Sequence, residues 1–266
     1  MERSLATFRK LTAAIPAKGR VSLSYPAKSI ALIKLDSLPT RNALTPSMMN
    51  DLAEIARTLT ASPPNYLVLT GANGTFCSGA DIGVAKDTLM TSSGGSAMAN
   101  LMNNVTGAIS SLPTVSFCSI DGAAFGGGAE LSTSTDFRCM RRDAKLRFVQ
   151  TTMGVTTGWG GGRRLAEIVG EREALRLLLL SEAVDADTAV RLGLADFVVE
   201  EDGLSSGDFT LDLIERLKTP DALVHSLKSV VGAKSAEEEI REFEKHWGAD
   251  PHALAFNRAI AKAKKP

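Results

Sequence analysis

The chain has 266 residues, and its 30 Lys and Arg cancel 30 Asp and Glu. That balance gives no electrostatic footing for nucleic acid or an anionic membrane surface, so neither is expected as a partner. No apolar run approaches the roughly eighteen residues of a membrane span, and Cys77, Cys118 and Cys139 are too far apart for a disulfide framework or a zinc site, which points to a reducing compartment.

Residues 1–28 carry Arg3, Arg9, Lys10, Lys18, Arg20 and Lys28 against Glu2 alone. Two readings stand: a mitochondrial presequence, or a short helix from Leu5 to Ala14, broken by Pro16 and packed outside the core. The acidic Glu2 and the spread of the basic residues favour the helix. Ser29–Leu35 then reads as a strand and Pro39–Leu44 as a turn. Thr45 caps a helix with Pro46 at its first position, and Met48, Met49, Leu52, Ile55, Ala56 and Leu59 form its apolar stripe. Pro63-Pro64 ends that unit. Leu67–Thr70 is a second strand, Met98–Ser110 a helix and Thr114–Ile120 a third strand. This alternation predicts parallel strands with right-handed crossovers.

Further strands are expected at Asp136–Met140, Lys145–Phe148 and Phe197–Val199. Helices are expected at Gly161–Val169, Arg172–Leu180 and Asp185–Arg191. From Asp208 the chain reads as helical: 208–218, 221–231, 236–247 and 251–262, with Ser235 and Glu238 at capping-box spacing. His225, His246 and His252 have no metal-type spacing, so no metal is expected.

Two corners stand out. Ile120-Asp121-Gly122 leads through Gly126-Gly127-Gly128 into Ala129-Glu130-Leu131: a strand ends, glycines turn the chain, and a helix begins. Glycine permits positive φ and close approach to the main chain, and the first N–H groups of a helix lack intrahelical partners. Such a corner can hold negative charge on an oxygen, but three glycines alone fit a plain tight turn with no ligand better. The second corner, Phe76-Cys77-Ser78-Gly79-Ala80-Asp81-Ile82, follows the strand at Leu67–Thr70.

These two stretches, about forty residues apart, resemble the paired motifs of the crotonase (enoyl-CoA hydratase/isomerase) superfamily, over roughly Ser29 to the C-terminus. The resemblance implies an α/β fold: a crotonase-like ββα spiral core at residues 29–199, after an N-terminal extension at 1–28, and a C-terminal helical region at 200–266 for trimer contacts and a lid. It implies an acyl-CoA substrate whose thioester oxygen sits between the N–H groups of Ala80 and Gly127, on a turn that includes Gly126. Coenzyme A would run along Ser78, Gly79, Asp81 and Ile82, with Trp159 in the substrate site. Arg41, Lys262, Lys264 and Lys265 are candidates for its phosphates. Coenzyme A is part of the substrate, so no separate cofactor is implied. The assembly implied is a homotrimer or two stacked trimers.

Glu130 coincides with one catalytic glutamate of the hydratases, a general acid or base in that setting. Counting back from Gly154, the second glutamate falls on Gln150, which cannot exchange a proton at neutral pH. One acid is an incomplete set for adding water across a double bond. Loss of carbon dioxide from a malonyl-type thioester needs no base, only a stabilised enolate oxygen and a later proton. Arg147-Phe148-Val149, Trp159-Gly160-Gly161, Gly126–Glu130 and Trp247-Gly248 resemble the ethylmalonyl-CoA decarboxylase branch, which also lacks the second glutamate and is cytoplasmic; a mitochondrial location stays open. Thr157 stands where many members have proline. The alternatives are an enoyl-CoA hydratase or isomerase, and a non-catalytic acyl-CoA-binding member.

Overall fold

A computed structural model describes residues 1–263 apart from residues 82, 85, 201 and 202. The chain opens with helix α1 (Glu2–Thr12) and continues through strands β1 (Arg20–Ala27) and β2 (Ile30–Asp36), helix α2 (Pro46–Ala61) and strand β3 (Tyr66–Gly71). Helices α3 (Lys86–Leu89) and α4 (Ser92–Ser110), strands β4 (Val115–Ile120) and β5 (Ala123–Phe125), and helix α5 (Gly127–Ser132) follow. Next come β6 (Phe137–Arg141), β7 (Lys145–Arg147), α6 (Gly161–Val169), α7 (Glu171–Leu180), β8 (Val184–Asp185), α8 (Ala186–Arg191) and β9 (Phe197–Val199). The C-terminal helices are α9 (Ser206–Arg216), α10 (Asp221–Gly232), α11 (Ala236–Glu244) and α12 (Asp250–Ala263).

A six-stranded sheet runs in the order β1-β2-β3-β4-β6-β9, and a three-stranded one in the order β5-β7-β8. From β2 to β9 every neighbour in the larger sheet is parallel, as the alternation of strand and helix predicts. Parallel strands carry helices on their faces and so bury both sides; Tyr66 to Thr70 of β3 are all buried. The main core lies on one face, between the sheet and α1, α2 and α4. A smaller cluster, including Tyr66, Val68, Phe117, Ile214 and Val224, lies on the other face under α9 and α10. Helix α2 begins as its sequence dictates: the Thr45 hydroxyl accepts from the Met48 N–H at 3.3 Å, with Pro46 at the first helical position.

The N-terminal segment departs from expectation. Helix α1 forms, but it packs into the main core rather than outside it: Leu5 and Phe8 are buried in contact with that cluster. Residues 20–27 form a strand, paired antiparallel to β2 with a bulge between Ser24 and Ala27. The apolar faces of α1 and β1 are narrow, and their partners lie far along the chain, so periodicity alone underrates them.

Helix α4 starts at Ser92, six residues earlier than expected, because the Thr91 hydroxyl caps it by accepting from the Gly94 N–H at 3.0 Å. The short strands β5 and β8 fall outside the predicted set. Large apolar side chains of the C-terminal region stay exposed, among them Val231, Phe243 and Phe256 on helices and Trp247 in the turn after α11, which ends at Glu244 rather than at the expected residue 247. Among the described residues no helix is long and apolar enough to cross a membrane, and no cluster suited to a metal ion appears.

Candidate active site

Strand β3 delivers the chain into the first corner and strand β4 into the second. Parallel pairing of β3 with β4 puts both exits at the same edge of the sheet. A two-bond bridge then laces the corners together: Cys77 N–H donates to the Ala123 carbonyl and Phe125 N–H to the Cys77 carbonyl, each at 2.9 Å. A Cβ built on Gly128 would lie 2.1 Å from the Cys77 carbonyl oxygen, so any side chain there would force the corners apart. Gly79 has φ +107°, and the position of its absent Cβ is 3.3 Å from the Gly127 nitrogen. The residue before Ala80 therefore packs directly on Gly127.

Neither the Ala80 N–H nor the Gly127 N–H donates to an acceptor among the described residues. Their neighbours are paired. Asp81 N–H donates to the Leu44 carbonyl, Leu44 N–H to the Gly79 carbonyl, and Gly126 N–H to the Arg147 carbonyl. The structure thus leaves these two donors unused on abutting segments. Gly127 is the first residue of α5, where an intrahelical partner is missing by construction.

Other predicted residues cluster around the same corners. Ser78 is tied to the turn after β2: its N–H donates to the Arg41 carbonyl at 3.1 Å and its hydroxyl to the Thr40 carbonyl at 2.8 Å. Arg41 is exposed, in the left-handed conformation with φ 52°. Asp81 is buried, and its Oδ1 accepts from the N–H groups of Gly83 and Val84 at 3.1 and 3.2 Å, an Asx-type turn. Ile82, Lys264 and Lys265 lie outside the described residues, as does the side chain of Lys262.

Glu130 lies one turn beyond Gly127 and is almost fully buried. Its carboxylate meets four N–H donors. Oε1 accepts from Gln150 Nε2 at 2.9 Å and Gly158 N–H at 3.3 Å; Oε2 accepts from Trp159 N–H at 2.7 Å and Gly161 N–H at 3.0 Å. Three of those donors belong to the turn that opens α6, the electropositive end of that helix. A Cβ at Gly161 would lie 2.4 Å from Glu130 Cγ, so glycine there lets the helix end close onto the carboxylate.

The same bracket places Trp159. Its N–H is on Glu130, while its carbonyl accepts from Thr106 Oγ1 at 2.7 Å and Arg164 Nη2 at 2.8 Å. With both ends of that residue held, the indole rests on Gly127. A Cβ on Gly127 would meet Trp159 Cζ3 at 2.4 Å and Cη2 at 2.5 Å. Arg164 is buried and also donates to the Glu130 carbonyl and to Thr133 Oγ1. Burial pushes its guanidinium down to about 10, opposed by the nearby Glu130 carboxylate.

Sequence reasoning missed three of these supports. Arg164 and Thr106 sit on helix faces that give no local cue. Asn42 is fully buried in the left-handed conformation, with its amide donating to the Ala72 and Thr75 carbonyls at 2.9 and 2.8 Å. It accepts from Ser37 N–H at 2.9 Å, so it locks the turn after β2 to the loop that carries the first corner. An asparagine between a strand and a proline-capped helix is the signal that points to it, because asparagine tolerates left-handed backbone.

The family model for enoyl-CoA hydratase/isomerase matches residues 26–251. The chain is 37% identical over 225 residues to the ethylmalonyl-CoA decarboxylase of Gallus gallus, covering 82% of this chain and 74% of that one. It is 36% identical over 254 residues to the ethylmalonyl-CoA decarboxylase of Xenopus laevis, covering 93% and 84%. Among solved structures, Pseudomonas aeruginosa DspI superposes with a TM-score of 0.80 at 25% identity, covering 94% of this chain and 97% of that one. An enoyl-CoA hydratase from Bacillus anthracis superposes with a TM-score of 0.78 at 23% identity, covering 93% and 98%. With its fold, its paired glycine corners and a family match over most of its length, the chain belongs to the crotonase (enoyl-CoA hydratase/isomerase) family.

Proposed function

We propose that this protein decarboxylates a small malonyl-type acyl-CoA, with ethylmalonyl-CoA or methylmalonyl-CoA as substrate. The observation that carries this reading is the pair of unpartnered N–H groups at Ala80 and Gly127, beside Glu130, whose carboxylate is paired with an amide, Gln150, rather than with a second acid. In the proposed reaction the bond from Cα to the carboxylate carbon breaks. Carbon dioxide leaves, and the electron pair passes through Cα to the thioester oxygen. The two N–H donors stabilise the oxyanion, a contribution typically worth about 10²–10³-fold in turnover for each donor. The enolate then takes one proton at Cα to give the saturated acyl-CoA.

In this reading the substrate carboxylate lies in a poorly solvating pocket, which favours its loss. Trp159 forms a wall over Gly127 and limits the acyl branch. Arg41 meets the coenzyme A phosphates, aided by Lys18 and Arg20, which line a neighbouring groove of about 600 Å³ together with Thr40 and Asp81. The identity to proteins named ethylmalonyl-CoA decarboxylase supports the choice of reaction.

The experiment that tests this reading compares ethylmalonyl-CoA and crotonyl-CoA on wild type and Gln150→Glu. The new carboxyl group would lie about where Gln150 Nε2 now sits, 2.9 Å from Glu130 Oε1. Two carboxylates that close must share a proton, and a third on the substrate is repelled. Decarboxylation should fall by at least about tenfold, the effect of roughly 1.4 kcal/mol of repulsion, while slow hydration of crotonyl-CoA appears. Unchanged ethylmalonyl-CoA turnover in Gln150→Glu, together with rapid hydration of crotonyl-CoA by wild type, would contradict the reading.

A further inference from the structure

Both oxyanion donors are backbone groups, so the surrounding structure must aim them. At Gly127 the Trp159 ring and the start of α5 do this. At Ala80 the support comes from residues 41–44, which run beside residues 78–81 and bond to them three times. Ser78 N–H donates to the Arg41 carbonyl at 3.1 Å, Leu44 N–H to the Gly79 carbonyl at 2.7 Å, and Asp81 N–H to the Leu44 carbonyl at 2.9 Å. The last two make a parallel bridge between Leu44 and Ala80. Such a bridge uses the groups on either side of Ala80 and none of its own. The Ala80 N–H therefore faces away from Leu44 and is free to donate, and Ala80 itself is only half-buried.

Asn42 fixes residues 41–44 in place. Arg41 and Asn42 both lie in the left-handed region, at φ 52° and 56°. Residues other than glycine persist there only where the surroundings impose it. Asn42 is fully buried. Its amide nitrogen donates to the Ala72 and Thr75 carbonyls at 2.9 and 2.8 Å, and its oxygen accepts from Ser37 N–H at 2.9 Å. One side chain thus ties together the end of β2, the turn that follows it and the loop leading into the first corner. The tie reaches the second corner as well, because the Thr75 hydroxyl accepts from Ala123 N–H at 3.4 Å. Asparagine suits the place: it combines two donors and an acceptor with tolerance of left-handed backbone.

We infer that Asn42 is a positioning residue for the Ala80 donor: by locking the turn at residues 41–44 it sets the direction of that N–H. It acts through the bonds of Arg41 and Leu44 to residues 78–81, not by touching substrate. The inference rests on the reading of Ala80 as an oxyanion donor within the proposed decarboxylation.

The test compares the full chain with Asn42→Gly, which tolerates the same φ and removes all three side-chain bonds. With ethylmalonyl-CoA, kcat should fall by about 10²-fold, as when one oxyanion donor is lost. KM should stay close to wild type, because the interaction lost is one made in the transition state. The amide proton resonance of Ala80 gives a readout that stability alone does not move. Saturating wild type with butyryl-CoA, which has no carboxylate to lose, should shift it downfield as the thioester oxygen accepts the N–H. In folded Asn42→Gly that shift should be largely lost. An unshifted Ala80 resonance in wild type, or a full shift with wild-type kcat in Asn42→Gly, overturns the inference. If wild type releases no carbon dioxide from ethylmalonyl-CoA, the reading of the reaction fails, and the Ala80 resonance with butyryl-CoA decides the positioning role by itself. Should Asn42→Gly not fold, Ser78→Ala loosens the same turn from the other side by removing the hydroxyl bond to the Thr40 carbonyl. A partial loss of the butyryl-CoA shift in that variant supports the inference, and a full shift overturns it.

Discussion

Replacing Glu130 by glutamine should destabilise the fold by about 1–3 kcal/mol, the usual cost of leaving a buried polar group without its hydrogen-bond partner. The shape barely changes, but the donors do. An amide presents one oxygen, and its NH2 would face N–H groups of Gln150 and Gly158 or of Trp159 and Gly161. Arg164 would lose the nearby carboxylate that offsets its burial. Urea unfolding of wild type and Glu130→Gln reads the difference directly. The pattern of loss discriminates between roles. A glutamate that serves only to pass protons would give a variant that unfolds like wild type and merely turns over slowly. An anchor gives a protein that unfolds earlier, with the Trp159 fluorescence of the native state altered because the indole is held through the Glu130 bond.

The second large effect is expected at Gly127. Alanine there would drive its Cβ to within 2.4 Å of the Trp159 ring, a separation that real atoms do not adopt. The Trp159 backbone is pinned at Glu130, Thr106 and Arg164, so the ring has little room to retreat. The strain falls on the first turn of α5 and moves the Gly127 N–H. Turnover should fall by about 10²–10³-fold, the cost of one misplaced oxyanion donor. Shrinking the ring in the double variant Gly127→Ala/Trp159→Leu should recover part of that loss, because the residues are in contact and their effects do not add. Steady-state turnover of the three proteins checks both points. A Gly127→Ala enzyme as fast as wild type would remove Gly127 as a donor to the oxyanion.

Much of this architecture is legible in the sequence because its signals are local. Strand β2, helix α2 and strand β3 announce themselves through an apolar run, a Thr-Pro cap and a second apolar run. The glycines of both corners mark places where the backbone needs positive φ or close approach, and Gly79, Gly122 and Gly126 adopt that φ. Strand β1 is harder to see. Pro26 interrupts it, and a bulge lies between Ser24 and Ala27, so the alternation breaks before it is long enough to count. Helix α1 reads as a surface element because only its contacts with distant α2 and α4 bury Leu5 and Phe8.

The site divides in the same way. The donors at Ala80 and Gly127 are backbone groups, found by counting along motifs. The bracket around Glu130 is made by Gln150, Trp159, Gly161 and Arg164, which follow it by 20 to 34 positions. No local pattern tells that a glycine-rich turn will close its N–H groups onto a particular carboxylate. Residue type marks Glu130 as an acid; only the count of donors around it marks it as an anchor.

The proposed reaction forms a thioester enolate between the two corners by loss of carbon dioxide. Mass spectrometry of the purified protein incubated separately with ethylmalonyl-CoA, methylmalonyl-CoA and crotonyl-CoA tests it most directly. One or both of the first two should lose carbon dioxide, and little or no water should add to the third. Rapid water addition to crotonyl-CoA with both malonyl-type thioesters left intact would contradict it.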